Sequence, residues 1–182
     1  MKKADVETTK SKLSALTGQP LRTIEREGNL IIVSLGDLVV HHAIAKDENR
    51  EQKLEGKYEL MLFCGMRMTC GDEILFGDGD IFIPCTHLTD DDKANAYDES
   101  GWLKQSSSYF DEAIAKYICD EPFEFVVKKV SVSKFGDLAI EFQNGFVLEV
   151  FADSSGESEN WYFYEIDSKE PGFMVLGRGI DD

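Results

Sequence analysis

The chain has 182 residues, 42% of them hydrophobic, and its 35 acidic against 19 basic side chains give a formal net charge of −16. That length suits one domain, or two small fused ones, with a sizeable core. A charge of this sign repels nucleic-acid phosphates and anionic lipid, which excludes both as expected partners and favours a basic protein. The opening MKKADVETTKSKL lacks the apolar stretch of a signal peptide, and no run reaches the ~20 apolar residues of a membrane helix. Cys64, Cys70, Cys85 and Cys119 show neither C-x-x-C pairing nor the density of a disulfide scaffold. The expected location is the cytoplasm.

Residues 4–17 read as a surface helix, because Val6, Leu13 and Leu16 fall roughly on one face and Gly18 and Pro20 stop it. The apolar run 30–35 reads as a buried strand, and 38–45 as a second one joined through Gly36-Asp37. The polar stretch 46–57 reads as a loop. Tyr58, Leu60, Leu62 and Cys64 alternate along a further strand, and 73–76 and 80–83 read as short strands around Gly77-Asp78-Gly79. Residues 85–107, turn-rich and carrying Asp90-Asp91-Asp92, read as a linker. A helix is predicted over 108–119, started by Ser108 and Asp111 in capping-box spacing and stopped by Pro122. Leu138, Ile140 and Phe142 alternate up to Asn144-Gly145, a hairpin signal in which both turn residues take φ > 0, and Phe146, Leu148 and Val150 return. A loop over 152–160 then leads to an aromatic strand at 161–164, and 173–176 closes the unit.

One β unit occurs twice. GNLIIVSLGD (28–37) aligns without a gap on GDLAIEFQNG (136–145), YELMLF (58–63) on FVLEVF (146–151), and ILFGDGDI (74–81) on MVLGRGID (174–181). The expected fold is α+β, predominantly antiparallel β, with two related β-meander units and two accessory helices. It forms one domain over residues 1–182, with units at about 20–84 and 128–181 and the linker and helix 85–122 between them.

The candidate chemistry is sparse. A calcium loop begun at Asp72 ends on Ile83, and one begun at Asp78 ends on Thr89, so neither supplies the terminal carboxylate. His41 and His42 are adjacent and would face opposite sides of a strand, and Cys85-x-His87 matches no common zinc template; no metal or cofactor is expected. There is no G-x-S-x-G, no thiol in an electropositive setting, and no phosphate-cradling loop at Gly77/Gly79 or Gly177/Gly179, so no catalytic residue is assigned. Arg67, inside YELMLFCGMRM, is a charge in an apolar setting and must reach water or pair with an acid; a salt bridge to an acid such as Asp80 or Glu159 is the favoured reading, and ligand binding the other. The segment from Asp153 to Trp161 has two readings. It is a solvated hairpin loop with Trp161 in the core, or an acidic contact surface in which Asp153, Glu157 and Glu159 flank a Trp161 anchor.

GDLAIEFQNGFVLEVFADSSGESENWYFYE (136–165) has the form G-D-L-x-I-x-F-x-N-G-x-x-L-E-V-F-x-D-S-S-x-x-x-E-x-W. It resembles a segment of a family of small, uncharacterised bacterial proteins, some of them linked to polymorphic-toxin immunity loci. KYELMLFCGMRM and GDEILFGDGDIFIP are similar to the N-terminal part of the same kind of protein. The resemblance implies a bacterial cytosolic setting and an interaction role; taken with the net charge of −16 and the missing catalytic constellation, the expectation is a non-enzymatic binding protein, of immunity type, that neutralises a basic protein partner. Two alternatives stand beside it: an enzyme or small-ligand binder with Asp78, Asp80, Glu157 and Glu159 lining a groove between the β units, and a homo-oligomer that pairs through an exposed strand.

Overall fold

The computed structural model describes residues 3–40, 54–119 and 124–181. The first half lays down β1 (Leu21–Glu27), β2 (Leu30–Val40) and β3 (Leu54–Leu62) as a meander. It then crosses through Phe63 and Cys64 into a second sheet as β4 (Gly65–Cys70) and β5 (Glu73–Gly77). The second half repeats this order, with β6 (Val127–Val132), β7 (Leu138–Phe142) and β8 (Phe146–Phe151) in the second sheet. It crosses back as β9 (Glu159–Glu165), β10 (Phe173–Leu176) and β11 (Gly179–Asp181). The sheets therefore run β1-β2-β3-β9-β10-β11 and β5-β4-β8-β7-β6, antiparallel at every pairing.

The halves neither lie side by side in one sheet nor face each other as separate sheets. Each lends its last strands to the other's meander. At the two junctions Leu60 of β3 stands opposite Phe163 of β9, and Met68 of β4 opposite Leu148 of β8. The leading ends of β1 and β6 also meet: Gly18 N and Leu21 N donate to Val127 O and Phe125 O, each at 2.8 Å, and Val127 N donates to Gln19 O at 2.9 Å.

One apolar core runs between the sheets. On β7 and β8, Leu138, Ile140, Phe142, Phe146, Leu148 and Val150 are buried while the alternate residues are half-exposed. Each such side chain contributes about 1.5–3 kcal/mol relative to an exposed one. The aligned segments occupy equivalent strands, β2 on β7, β3 on β8 and β5 on β10. The first alignment needs correction by one residue. Without a gap it sets the inward Leu138, Ile140 and Phe142 against the outward Leu30, Ile32 and Ser34, whereas Ile31, Val33 and Leu35 are the inward set. Side chains alternate with period two, so only the shifted register keeps the core face.

Several elements differ from expectation. Residues 30–40 form one strand with an irregularity between Leu35 and Leu38, and 54–57 extend β3 where a loop was expected. Residues 41–53, with His41 and His42, and the Pro122 stop lie outside the described residues. Residues 78–82 are a 3-10 turn rather than a strand, because Asp80 Oδ2 accepts the Gly77 amide at 2.9 Å and Asp78 Oδ1 the Met66 amide at 2.8 Å. The hairpin between β7 and β8 spans Gln143, Asn144 and Gly145, with Gly145 at φ +89 and Asn144 outside the left-handed region. That is the three-residue loop closed by a left-handed glycine, not the two-residue turn predicted.

Of the three α-helices among the described residues, α1 (Lys3–Leu13) continues as a 3-10 turn, and the two bury Val6, Leu13 and Leu16, as predicted. The acidic triplet forms the first turn of α2 (Asp90–Asn95), where negative charge is favourable at the positive end of the helix dipole and Thr89 caps. In α3 (Tyr109–Ile114) Ser108 Oγ accepts the Asp111 amide at 3.2 Å, and the helix widens into a π turn over 115–119.

Two recurring glycines mark close approaches. A Cβ on Gly77 would meet Met66 O at 3.0 Å, and one on Gly177 would meet Ser154 O at 2.5 Å and the Ser155 backbone. In urea denaturation Gly177→Ala is expected to cost about 1–3 kcal/mol through overpacking. Gly79→Ala, with nothing within 4 Å of its Cβ, should stay within about 0.5 kcal/mol. Equal effects at the two positions would refute this account.

Candidate functional site

The outer face of the six-stranded sheet is built in transverse rows. Thr23, Ser34, Glu59 and Tyr164 stand opposite one another across β1, β2, β3 and β9. The next row runs Glu25, Ile32, Met61, Tyr162 and Met174. A cleft of about 260 Å³ opens on these rows, lined by Glu25, Glu27, Glu55 and Glu59 together with Arg22 and Tyr164.

Its shape follows from local backbone. The β2 irregularity at Gly36-Asp37 bends the strand, as bulges do. Gly56 lies so close that a Cβ there would meet Leu35 O at 2.6 Å, and its amide donates to Ser34 Oγ at 2.7 Å. The far arm of the hairpin then forms one wall, with Leu38 and Leu54 exposed along it.

Glu59 sits at the floor and is 7% exposed. The Tyr164 hydroxyl donates to its Oε2 in a short hydrogen bond. Burial first, and then the Glu59 carboxylate, push the Tyr164 hydroxyl up, so it stays protonated and remains a donor. Arg22 Nε donates to Gly36 O at 2.6 Å, which ties this guanidinium to the bent strand. The cleft is thus anionic with aromatic and thioether surface beside it, a chemistry suited to an arginine or lysine side chain and its alkyl stem.

The outer face of the other sheet is different. Arg67 Nε donates to Glu149 Oε2 at 2.7 Å, directly across β4 and β8, and Lys129 Nζ to Glu141 at 2.9 Å across β6 and β7. Arg67 therefore does pair with an acid, but with Glu149 rather than Asp80 or Glu159, and its side chain is 40% exposed with the guanidinium over Phe151. Beside Glu59, a second buried charge among the described residues is Arg26. It donates to Asp111 Oδ1 at 2.8 Å and Oδ2 at 2.7 Å, and to the Leu103 and Lys104 carbonyls, with only 3% of its side chain exposed. Burial opposes charge on Asp111, yet the Arg26 guanidinium and the Ser108 hydroxyl and amide hold its carboxyl below the usual range.

The other residues singled out from sequence do not gather. Asp78 and Asp80 hold the corner after β5 through backbone amides. Glu157 pairs with Arg178 at 2.7 Å, and Asp153 and Glu159 are exposed. Trp161 has no exposed surface, and its indole N–H donates to Gly136 O at 2.8 Å. It is a core residue, so a contact surface at this loop has no tryptophan anchor. None of these residues lines the cleft. Sequence reasoning missed Glu25, Glu27 and Glu55, and passed over Glu59. The usable signal for Glu59 is parity, since Glu59 and Met61 alternate with the inward Tyr58, Leu60 and Leu62.

Among the described residues no helix is long and apolar enough to cross a membrane. Compared with known protein families, curated proteins and solved structures, the chain matches none.

Proposed function

We propose that this is a non-enzymatic cytoplasmic binding protein that engages a basic protein segment through the cleft of its six-stranded sheet, in the manner of an immunity protein neutralising a cationic partner. The observation that carries this reading is the lining of the cleft, which among the described residues sets four glutamates against one arginine already tied to Gly36 O. The net charge of −16 and the resemblance of residues 136–165 to a bacterial family with members at toxin-immunity loci support it. Electrostatic complementarity of this kind accelerates encounter and makes it salt-sensitive.

The test uses an arginine/lysine-rich peptide and two charge-matched variants. Glu25→Lys with Glu27→Lys reverses two acids of the cleft, and Asp90→Lys with Asp91→Lys reverses two acids of α2. The first pair is expected to weaken binding by at least about tenfold at low salt. The second should change it far less. Equal losses would show that the peptide responds to net charge alone, and the proposed site would fall.

A further inference from the structure

Among the described residues, three metal-ligating side chains of mixed type converge away from the cleft: Cys85, His87 and Glu112, whose donor atoms all lie within 4.8 Å of one another. Cys85 and His87 come from the loop after the 78–82 turn, and Glu112 from α3. We propose that Cys85 Sγ, the His87 imidazole and the Glu112 carboxylate bind a divalent cation of the borderline class, zinc foremost, which clamps this loop to α3 and leaves one coordination position for water or an exogenous ligand.

The donor set fits. Thiolate, imidazole and carboxylate are the three ligand types zinc takes, and three protein ligands with one open position is an established arrangement. Zinc–ligand distances of about 2.0–2.3 Å place neighbouring donors about 3.3–3.8 Å apart in a tetrahedron. His87 Nδ1 already lies 3.9 Å from Glu112 Oε2. The His87 side chain is 66% exposed, so it can close on an ion without disturbing the core.

The surroundings hold the donors in place. Thr86, the residue between the two loop ligands, donates from its amide to Glu112 Oε2 at 2.7 Å and from its hydroxyl to Oε1 at 2.5 Å. These bonds orient the carboxylate as outer-shell partners orient metal ligands, and they hold Glu112 below its usual carboxyl range. The Cys85 amide donates to Ser107 O at 2.9 Å, which fixes the loop on the 106–108 segment. There Ser106 takes a left-handed φ of +66, a conformation costly for a residue with a Cβ. A thiol nucleophile fits this corner less well. Burial and the charges of Glu112 and Asp111 push the Cys85 thiol up, and it donates to Ser108 O at 3.0 Å, whereas a bound cation deprotonates a coordinating thiol outright. The Cys-x-His spacing matches no common template because its third donor arrives from a helix distant in sequence.

The test is titration of the chelator-treated full chain with Co(II), read by absorption, followed by competition with Zn(II) and thermal unfolding with and without metal. The expected results are a thiolate-to-cobalt charge-transfer band that Zn(II) displaces, and a higher Tm with metal. Both should vanish in Cys85→Ser and persist in Cys70→Ser and Cys119→Ser. His87→Ala, at an exposed position that leaves the fold intact, should weaken Co(II) binding by about 10–100-fold, and this variant decides the matter if Cys85→Ser fails to fold. No charge-transfer band in the wild type, a band that survives in Cys85→Ser, or undiminished affinity in His87→Ala would each overturn the proposal.

Discussion

Arg26→Met is expected to lower the free energy of unfolding by about 3–5 kcal/mol, the loss typical when one partner of a buried ion pair is removed. The variant leaves the Asp111 carboxylate, with 14% of its side chain exposed, facing an apolar side chain, and strips the donor from the Leu103 and Lys104 carbonyls. Asp111 also caps α3 through Ser108, so the loss reaches the helix as well as the pair. Urea denaturation should show a lower midpoint at an unchanged slope. The pH dependence has a definite sign. The folded-state Asp111 carboxyl lies below its ordinary value, so the stability it contributes is present above the unfolded-state value, about 3.9, and is lost as pH falls through the folded one. The gap between wild type and Arg26→Met should therefore narrow below about pH 4. A gap independent of pH would mean that the arginine acts through packing alone.

Trp161→Ala is expected to cost about 3–5 kcal/mol, as large aromatic truncations in cores do. The ring is fully buried, lies 5.8 Å from the Phe173 ring, and stands on β9 at the junction between the two halves. Trp161→Phe separates the two contributions. It retains most of the aromatic volume and removes the donor to Gly136 O, and should cost about 1–3 kcal/mol. If both variants lose the same amount, the indole N–H rather than the packing dominates, and the account of this junction would need revision. A Trp161→Ala protein as stable as the wild type would contradict its place in the core.

The parts of the fold legible in the sequence were those where one local signal decides. Period-two alternation placed β7, β8 and β3, and the Ser108/Asp111 spacing placed the start of α3. β1 escaped because its pairing shifts between Leu21 and Thr23, so the inward residues Leu21, Ile24 and Arg26 follow no single period, and one of them is charged. The 3-10 turn at 78–82 escaped because side-chain carboxylates bonded to backbone amides decide it, not hydropathy. Arg67 pairs with an acid, but its side chain is 40% exposed where a buried charge was expected, and its partner is set by strand register, which local sequence does not encode. The cleft failed for the same reason. Its glutamates lie on β1 and β3, which are distant in sequence and stand on either side of β2 in the sheet.

The exchange of strands between the halves has a consequence for how such a chain could arise. A polypeptide with only one half would leave its third strand as an open apolar edge, with its last strands lacking a sheet to join. Two such polypeptides could trade those strands and rebuild both sheets as a pair of like chains, with the leading ends of their first strands meeting as β1 and β6 now do. Joining them through residues 85–122 replaces association between molecules by encounter within one, at high effective concentration. It also ends the obligation for the two outer faces to be alike. One face has settled into cross-strand ion pairs, Arg67 with Glu149 and Lys129 with Glu141, while the other has accumulated unlike neighbours around Glu59. A fused two-fold scaffold would in this way be free to carry a one-sided surface.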